Sequence, residues 1–536
     1  MDGLENDEMN DKKSTMESNS PEKIIGNGVS EKAEKPQSPD NVMRGMSETN
    51  VRERIEKLRN EVDGMMTEVM KDLEGFDKFN GAYARRLDDA ERLYSDKRKR
   101  VESGILPEKE FIRRNSVLTD LYEIKHFRTI YNIFVMILIV ILLHTVIHDV
   151  LHTGSVYLGW KLVWRGFAKL SIVIEVWLMM LVSTFAVYSC FNYWAQRRTD
   201  MTPKSIKRKV WDSGWLVLFV VYQITLLILP AQIIIWENLP PISRVIILTE
   251  TVRMAMKMHA YVRSVAPVVL SYKPHSDDEQ LKLPDFSTFL YFHFAPTLIY
   301  RETYPRTTEI RWRFVLWHLF EVVLVIFNMA FIFERHLIPP FEEFGKHPFE
   351  LRSFVLSIYG TFFPSILVFV SGFYCLLHAW MNAAAEVTRF GDRLFYKDWW
   401  NSTTYGTFYK RWNVVVHDWL YTYIYKDIYE IVMPGNRFIP AWTVFFVSAL
   451  FHEYIIGVAF HLFLPMMLVQ FGIIGFLLVF LRLGKSWGNI FLWFSLCTGS
   501  GLMISFYSIE YFARVNCPKR LDGLTDLFLP RSYTCL

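Results

Sequence analysis

The amino-acid sequence predicts an all-α polytopic membrane protein with about nine transmembrane helices. The 536 residues are 51% hydrophobic and 16% aromatic, which is too apolar for a soluble protein of average composition. Beyond residue 128, the chain alternates polar loops with apolar runs of about 20 residues, the length at which a helix crosses a bilayer. Helices are predicted because a segment in lipid must satisfy its backbone amides internally.

The N-terminal region is predicted to lie outside the membrane. Residues 1–50 are polar and rich in Asn, Ser, Lys, Glu and Pro, so they are expected to form a disordered cytosolic tail. Residues 51–127 are interpreted as a cytosolic helical oligomerisation and connector region. Apolar residues recur three or four positions apart from Ile55 to Leu73. This spacing is typical of a single amphipathic helix or of a short coiled coil that gathers subunits, and both interpretations stay open.

A transmembrane domain is predicted over residues 128–513, and a C-terminal tail follows at 514–536. The span near 243–264 contains Glu250, Arg253 and Lys257, so an interfacial helix is its alternative. The nine predicted spans lie near 129–150, 167–190, 213–236, 243–264, 312–333, 353–380, 440–463, 466–482 and 489–512.

The positions of the basic residues predict how the chain is oriented. One basic cluster precedes the first span (97–100) and a second follows the second span (197–209). Two intervening spans place both clusters on one side, and the positive-inside rule makes that side the cytosol. The N-terminus is therefore expected to be cytosolic, and nine spans would make the C-terminal tail lumenal.

An aromatic loop is predicted to carry part of the functional site. Residues 395–427 combine many Trp and Tyr side chains with Lys, Asp and Asn, a composition typical of a membrane interface. Within this loop, Tyr409, Asn413 and His417 recur every four residues and are predicted to share one helical face. A polar stripe in an aromatic helix indicates a water-accessible cavity.

His452 and Glu453 lie in the apolar stretch SALFHEYIIG (448–457). A charged residue at bilayer depth costs roughly 2.5 kcal/mol or more, so such residues are usually functional. The pair begins the zinc-protease pattern HExxH, but Ile456 occupies the position of the second histidine, and no metal site is predicted. Burial keeps an imidazole neutral, and a neutral His452 facing a cavity can act as a general base towards an alcohol.

Four segments resemble, in order, the sterol O-acyltransferases of the membrane-bound O-acyltransferase family. They are FAPTLIYRETYPRT (294–307), FYKDWWN (395–401), WNVVVHDWLY (412–421) and SALFHEY (448–454). The resemblance extends from about Arg113 to the C-terminus. The FYxDWWN motif is shared with the diacylglycerol acyltransferase branch, whereas APTLIYRETYPR is similar to the sterol branch alone.

The resemblance implies an endoplasmic-reticulum enzyme with a membrane-buried reaction chamber. The enzyme would transfer a long-chain acyl group from acyl-CoA to the 3β-hydroxyl of cholesterol or a related sterol. It would need no cofactor, since acyl-CoA is a substrate, and it would form homodimers or homotetramers through its N-terminal region. The alternatives are a diacylglycerol O-acyltransferase and, in another class, a proton-coupled transporter that uses His452 as a relay. Nucleic acid is not an expected partner, because the basic residues form short clusters instead of a stripe.

The resemblance also implies roles for individual residues. His452 would be the catalytic histidine and Asn413 its partner. The motif residues are Phe395, Tyr396, Asp398, Trp399, Trp400 and Asn401. The positions that match contacts to acyl-CoA are Tyr409, Lys410, Trp412, His417, Tyr425, Arg437 and Ser448. Two of these positions differ from the family. Lys410 stands where an arginine is familiar, and Arg437 stands where a lysine is. Both keep a positive charge, but the planar guanidinium and the compact ammonium have changed places.

The cysteines predict one disulfide bond. Cys517 and Cys535 follow the last predicted span and would lie together in the oxidising lumen. Paired cysteines at the C-terminus are also similar to the sterol branch. Closing this short loop would contribute roughly 3 kcal/mol through loop entropy.

Overall fold

The computed structural model describes residues 106–156, 158–273, 281–348, 350–519 and 524–535, together with single positions between 53 and 64. Two compact units are present, Met1–Glu108 and Lys109–Leu536. The described positions between 53 and 64 are helical, and Ile55 and Val62 are 60% and 49% exposed. The rest of the predicted stripe as far as Leu73, and the predicted tail at 1–50, lie outside the described residues.

The described residues of the second unit are helical, and their only β-type pairings are two isolated bridges, Arg114–Asp392 and Arg306–Phe390. The α-helices are α1 (Val117–Leu121), α2 (Lys125–Thr153), α3 (Trp160–Gly166), α4 (Leu170–Thr199), α5 (Ile206–Trp236), α6 (Pro241–Ser271), α7 (Phe286–Phe294), α8 (Trp312–Ile332), α9 (Pro339–Glu342), α10 (Leu351–Phe373), α11 (Met381–Val387), α12 (Tyr405–Trp412), α13 (Val414–Leu420), α14 (Phe438–Phe460), α15 (Phe476–Leu478), α16 (Lys485–Asn516) and α17 (Leu524–Phe528).

Several helices continue into wider π-helical turns. In an α-helix such turns mark places where the regular hydrogen-bond ladder is interrupted, often near functional sites. Two short 3₁₀ turns are also present, at Trp399–Asn401 and Arg531–Tyr533. The π-helical segments are Phe333–Leu337, Tyr374–Trp380, Tyr421–Tyr425, Ile428–Val432 and Leu468–Gly475.

Seven described helical segments are long and apolar enough to cross a membrane. The polytopic all-α class is therefore confirmed, whereas the count of nine is not. Of the two remaining predicted spans, 466–482 coincides with the shorter apolar segment Leu468–Leu478. The other, 243–264, lies within α6, whose charged residues lower its hydropathy. The seven segments are Lys125–His152, Leu170–Thr199, Ile206–Trp236, Trp312–Leu337, Leu351–Val387, Phe438–Phe460 and Ser486–Asn516.

Helix α6 packs against several other helices of the bundle. It packs against α4, α5 and α14, and its residues include many that are fully buried, among them Leu248, Met258 and Tyr261. Lys257 is also buried, and its ammonium group donates to the backbone oxygens of Phe292 and Ala295 at 2.5 and 2.8 Å. Because protein surrounds much of α6, charged residues such as Lys257 find partners within the described chain.

Helix α2 makes few contacts along its length. Asp149 is the one buried residue among its described positions, and the carboxylate forms an ion pair with Arg335. Near the other end, the rings of Tyr122 and Tyr131 are 5.2 Å apart. The apolar side chains between these two points are exposed, as expected for a helix that is solvated by lipid.

The chain before α1 binds to the loop that follows α11. Arg114 donates two hydrogen bonds to the carboxylate of Asp392, at 2.7 and 3.1 Å. The backbone also pairs there, because Arg114 N donates to Gly391 O at 2.9 Å and Arg393 N donates to Arg114 O at 3.2 Å. Residues from Lys109 onward therefore form part of the same unit as the membrane helices.

The predicted disulfide bond between Cys517 and Cys535 is present, with the two Cα atoms 5.8 Å apart. This separation lies within the usual range. Gly345 lies against both sulfur atoms and has φ +83°, a conformation that favours glycine. The remaining cysteines, Cys190, Cys375 and Cys497, are free thiols.

Candidate active site

His452 lies in the middle of α14, and its side chain is exposed. Its Nδ1 atom lies 2.7 Å from the backbone oxygen of Ser448, one helical turn earlier. A carbonyl oxygen can only accept, so Nδ1 must carry the proton in this hydrogen bond. The neutral imidazole then keeps its lone pair on Nε2, the atom that can accept a proton from a substrate.

Glu453 faces away from His452, as the helical period predicts. It is 4% exposed and accepts hydrogen bonds from the Tyr507 hydroxyl at 3.0 Å and from Met467 N at 3.1 Å. Tyr507 belongs to α16. Glu453 therefore pairs with a neighbouring helix, and its side-chain partner is a phenol.

Asn413 separates two short helices. Helix α12 ends at Trp412 and α13 begins at Val414, and the Asn413 Oδ1 atom caps α13 by accepting from Val416 N at 3.1 Å. The prediction that Tyr409, Asn413 and His417 share one continuous helical face is wrong, because the cap interrupts the helix. Asn413 and His417 still lie one turn apart, since His417 N donates to Asn413 O at 3.0 Å.

The FYKDWWN motif holds the backbone on both sides of Asn413. On one side, Phe395 O accepts from Val414 N at 2.9 Å, and on the other, Lys397 N donates to Arg411 O at 2.8 Å. These two backbone bonds fix the position at which the helix is interrupted. The motif is therefore a framework for Asn413.

The side chains of the motif are mainly structural. Phe395, Tyr396 and Trp399 are at most 2% exposed, and the Tyr396 hydroxyl lies 2.7 Å from His378 Nδ1. The backbone oxygen of Trp400 accepts from Asn489 and Trp493 of α16.

Two motif residues lie nearer the surface. Asp398 lies 3.4 Å from the Arg411 guanidinium, and Asn401 is exposed. Within the described part of the chain, neither forms a hydrogen bond with His452. The motif therefore positions Asn413 without hydrogen-bonding to His452.

Tyr409 and His452 are brought together by Phe471. The Phe471 ring centroid is 5.4 Å from that of Tyr409 and 5.7 Å from that of His452. Phe445 of α14 packs against Tyr409 and Phe471 at 4.9 and 5.6 Å. The Tyr409 hydroxyl lies against Gly475, where a Cβ atom would be only 2.5 Å from it.

Trp412 lies in the aromatic core beside the motif. Its ring is stacked on Phe369 with centroids 4.4 Å apart, and it meets Trp399 edge-on at 4.7 Å. The indole is half-buried. These contacts hold α12 against α10.

His417 begins a column of stacked rings that continues through the π-helical turns. The centroids of successive rings are 6.4 Å apart for His417 and Tyr421, 5.7 Å for Tyr421 and Tyr425, and 6.1 Å for Tyr425 and Tyr429. The interplanar angles are between 8° and 15°. The predicted contact residues His417 and Tyr425 therefore lie on one side of this segment.

His417 is held by a carboxylate and a lysine that the sequence did not single out. Its Nδ1 atom is 3.3 Å from Asp418 Oδ1, and Lys109 Nζ is 2.7 Å from Asp418 Oδ2. Burial acts to raise the pKa of Asp418, but the hydrogen bond with His417 and the charge of Lys109 outweigh it and hold the pKa below its usual value. Lys109 is nearly 310 positions away in sequence, so no local signal could have found this pair.

Lys410 and Arg437 are exposed, and Arg437 precedes the first residue of α14. Burial lowers the pKa of Lys397, while the carboxylate of Asp418 opposes the change.

The structure links the candidate residues indirectly. Helix α14 packs against both Tyr421–Tyr425 and Leu468–Gly475, which brings the two halves of the site to neighbouring elements. No hydrogen bond joins Asn413 to His452 within the described part of the chain. Among those same residues, no group of three or more His, Cys, Asp or Glu side chains could hold a metal ion.

The fold and this site define an integral membrane protein with an oriented histidine inside a spanning helix. Residues 160–509 match the membrane-bound O-acyltransferase family. The chain belongs to that family.

Two relatives illustrate the similarity. Sterol O-acyltransferase 1 of Mus musculus is 39% identical over 433 residues, which cover 80% of this chain and 79% of the relative. Sterol O-acyltransferase 2 of Homo sapiens is 37% identical over 442 residues, which cover 81% and 82%.

Proposed function

We propose that the protein is a sterol O-acyltransferase. It transfers a long-chain acyl group from acyl-CoA to the 3β-hydroxyl of cholesterol or a related sterol, and it releases the sterol ester and free coenzyme A. Membership of the family supports transfer to a hydroxyl group, and the relatives named above support the sterol as acceptor.

The orientation of His452 carries this proposal. With Nδ1 committed to Ser448 O at 2.7 Å, Nε2 accepts the proton of the sterol hydroxyl as its oxygen attacks the thioester carbonyl. The carbon–sulfur bond then breaks, and the imidazolium returns the proton to the departing thiolate. The proton is thus borrowed and returned, which is ordinary general acid–base catalysis.

Asn413 supplies the complementary role. Its Oδ1 atom is engaged by Val416 N, so the amide turns its two N–H donors the other way. We assign these donors to the thioester oxygen as negative charge develops there. Removing one such donor costs about 3 to 4 kcal/mol in comparable enzymes.

The coenzyme is proposed to bind along the aromatic and basic elements beside Asn413. Coenzyme A is a polyanion, and the exposed Lys410 and Arg437 offer it positive charge. The planar rings of His417 and Tyr425 offer a surface for its adenine. Tyr409, Trp412 and Ser448 complete the proposed set, with Ser448 also anchoring His452 through its carbonyl.

The proposed setting is the endoplasmic-reticulum membrane, with the N-terminus cytosolic and the C-terminus lumenal. The Cys517–Cys535 disulfide supports this orientation, because disulfides persist in oxidising compartments. We propose that residues 51–127 contribute to a homodimer or homotetramer. Deleting residues 1–75 would then lower the oligomer order in detergent and leave acyl transfer in place, whereas an unchanged mass would assign assembly to the membrane region.

In the decisive experiment, the purified protein is incubated with labelled oleoyl-CoA in the presence of both cholesterol and diacylglycerol. Labelled cholesteryl ester is expected, and labelled triacylglycerol in its place would make the protein a diacylglycerol acyltransferase. His452→Ala should abolish the ester while oleoyl-CoA still binds. His144→Ala is the matched control, because His144 is an exposed histidine in another spanning helix. Near-normal turnover by a folded His452→Ala protein would refute the mechanism.

A further inference from the structure

A groove lies at the end of α4 and the beginning of α5, and none of the residues that line it is a candidate active-site residue. It is a shallow depression with a volume of about 610 Å³, open to the surroundings. Trp211, Gly214, Trp215 and Leu218 line it on the apolar side, and Lys207 lines it at the basic end. The lining of the groove is therefore mainly apolar, with a lysine at one end.

Aromatic rings build the wall of this groove. The Trp211 and Trp215 rings are 5.6 Å apart, and Tyr193 of α4 lies 6.1 and 6.2 Å from them. The guanidinium of Arg197 lies over the Tyr193 ring at 5.8 Å. Tyr and Trp side chains next to a basic residue are typical of the membrane interface, where the acyl chains of lipids meet the head groups.

The charge at this end is strongly positive. Arg197, Lys204, Lys207 and Lys209 are exposed there, with Asp200 as the nearby acid. The buried Arg198 is not part of this surface, because Asp212 accepts two hydrogen bonds from its Nε atom at 3.1 Å. Clusters of basic residues next to a spanning helix attract acidic lipids.

We propose that the groove binds one phospholipid with an anionic head group, drawn from the leaflet beside the basic cluster. An acyl chain lies against Trp211, Gly214 and Leu218, and the phosphate meets Lys207 and Arg197. A second copy of the chain does not fit this surface as well, because a symmetric contact would bring two positive clusters together. The site is separate from the proposed acyl transfer and does not depend on it.

Gly214 allows the groove to be closed without disturbing the protein. A Cβ atom at this position would meet nothing within 4 Å, so Gly214→Leu fills the groove and leaves the helix intact. Gly360→Leu is the matched control, because Gly360 is an exposed glycine of the spanning helix α10 that also has nothing within 4 Å. The charge is tested with Arg197→Gln and Lys207→Gln, and Lys346→Gln is the control at an exposed lysine elsewhere.

The experiment measures phospholipid retained by the full-length protein, by native mass spectrometry after release from nanodiscs of phosphatidylcholine with phosphatidylserine. The unchanged protein and both controls should retain a phosphatidylserine molecule in preference to phosphatidylcholine. Arg197→Gln and Lys207→Gln should each weaken that retention about fivefold, and Gly214→Leu should abolish it.

Several results would overturn the proposal. Equal retention by Gly214→Leu and Gly360→Leu would show that the groove is not the site. Retention without preference between the two lipids would remove the role of the cations. Displacement of phosphatidylserine by oleoyl-CoA or by inorganic phosphate would assign the site to a soluble phosphate compound, and a change of oligomeric mass in Gly214→Leu would assign the groove to a second copy.

Discussion

Lys109 forms an ion pair with Asp418, and the distance from Nζ to Oδ2 is 2.7 Å. The same carboxylate contacts His417, which is proposed to bind the coenzyme. The segment that leads into the first membrane helix therefore reaches the candidate site directly. It acts there by setting the electrostatic environment of His417.

Lys109→Met is predicted to raise the KM for acyl-CoA about fivefold, with kcat little changed. Without the ammonium, the negative charge of Asp418 is no longer balanced where the polyanionic coenzyme is proposed to bind, and it draws His417 toward itself. A partly exposed pair of this kind contributes about 1 kcal/mol. Initial rates against oleoyl-CoA concentration measure the effect. Lys346→Met, which removes an exposed pair with Glu343, is the control, and an equal KM in both variants would contradict the prediction.

Asn413 offers a test that separates its two tasks. Asn413→Asp keeps the oxygen that caps α13 but loses both N–H donors, so the helix should persist while kcat falls by at least about a hundredfold. Asn413→Ser keeps a capping oxygen without adding charge and should fall similarly. Circular dichroism and steady-state rates measure the two effects. Turnover within a few-fold of normal in both variants would limit Asn413 to a capping role.

Glu453→Ala is predicted to lower stability and expression while leaving the KM for acyl-CoA unchanged. The truncation leaves the buried Tyr507 hydroxyl and Met467 amide without their acceptor, at a cost of about 1 to 3 kcal/mol. Tyr507→Phe should recover part of that loss when added to Glu453→Ala, because it removes one orphaned donor. Thermal unfolding in detergent measures the effect. A double variant no more stable than Glu453→Ala would show that the pair does not act as a unit.

Gly345→Ala is predicted to impair formation of the Cys517–Cys535 disulfide. Its Cβ atom would lie 2.5 Å from both sulfur atoms, so the sulfurs or the loop must move. Gly154→Ala is the control, because Gly154 also has a positive φ, +67°, but has nothing within 4 Å. Thiol labelling under non-reducing conditions should detect free Cys517 and Cys535 in Gly345→Ala alone. Equal labelling of the two variants would assign any defect to the backbone conformation.

The sequence predicted the elements whose signal is local. The apolar run of α5, for example, contains its lipid-facing residues in one continuous stretch, so length and hydropathy suffice. Helix α6 was harder to predict from the sequence, because it packs against other helices and its Lys257 forms hydrogen bonds with backbone atoms that are distant in sequence. Hydropathy alone cannot distinguish such a packed helix from an interfacial one.

In the candidate site, too, the features with a local sequence signal were predicted and those that depend on distant residues were not. His452 and Asn413 are recognisable by residue type and motif, but the interruption at Asn413 was not, because it depends on a side-chain cap and on backbone bonds from Phe395 and Lys397. Lys109, Phe471 and Tyr507 were missed for a related reason. Each reaches the site from a separate element, and their own neighbours in sequence carry no signal of it.

The two backbone bonds that flank Asn413 have an evolutionary consequence. Phe395 O and Lys397 N are two residues apart, and they pair with Val414 N and Arg411 O. Every residue except proline has the backbone N–H that these bonds need, so other side chains at these positions can change without breaking the register. An inserted or deleted residue between 395 and 397, or between 411 and 414, would shift one bond relative to the other. Selection should therefore act on the length of these two stretches even where their composition drifts.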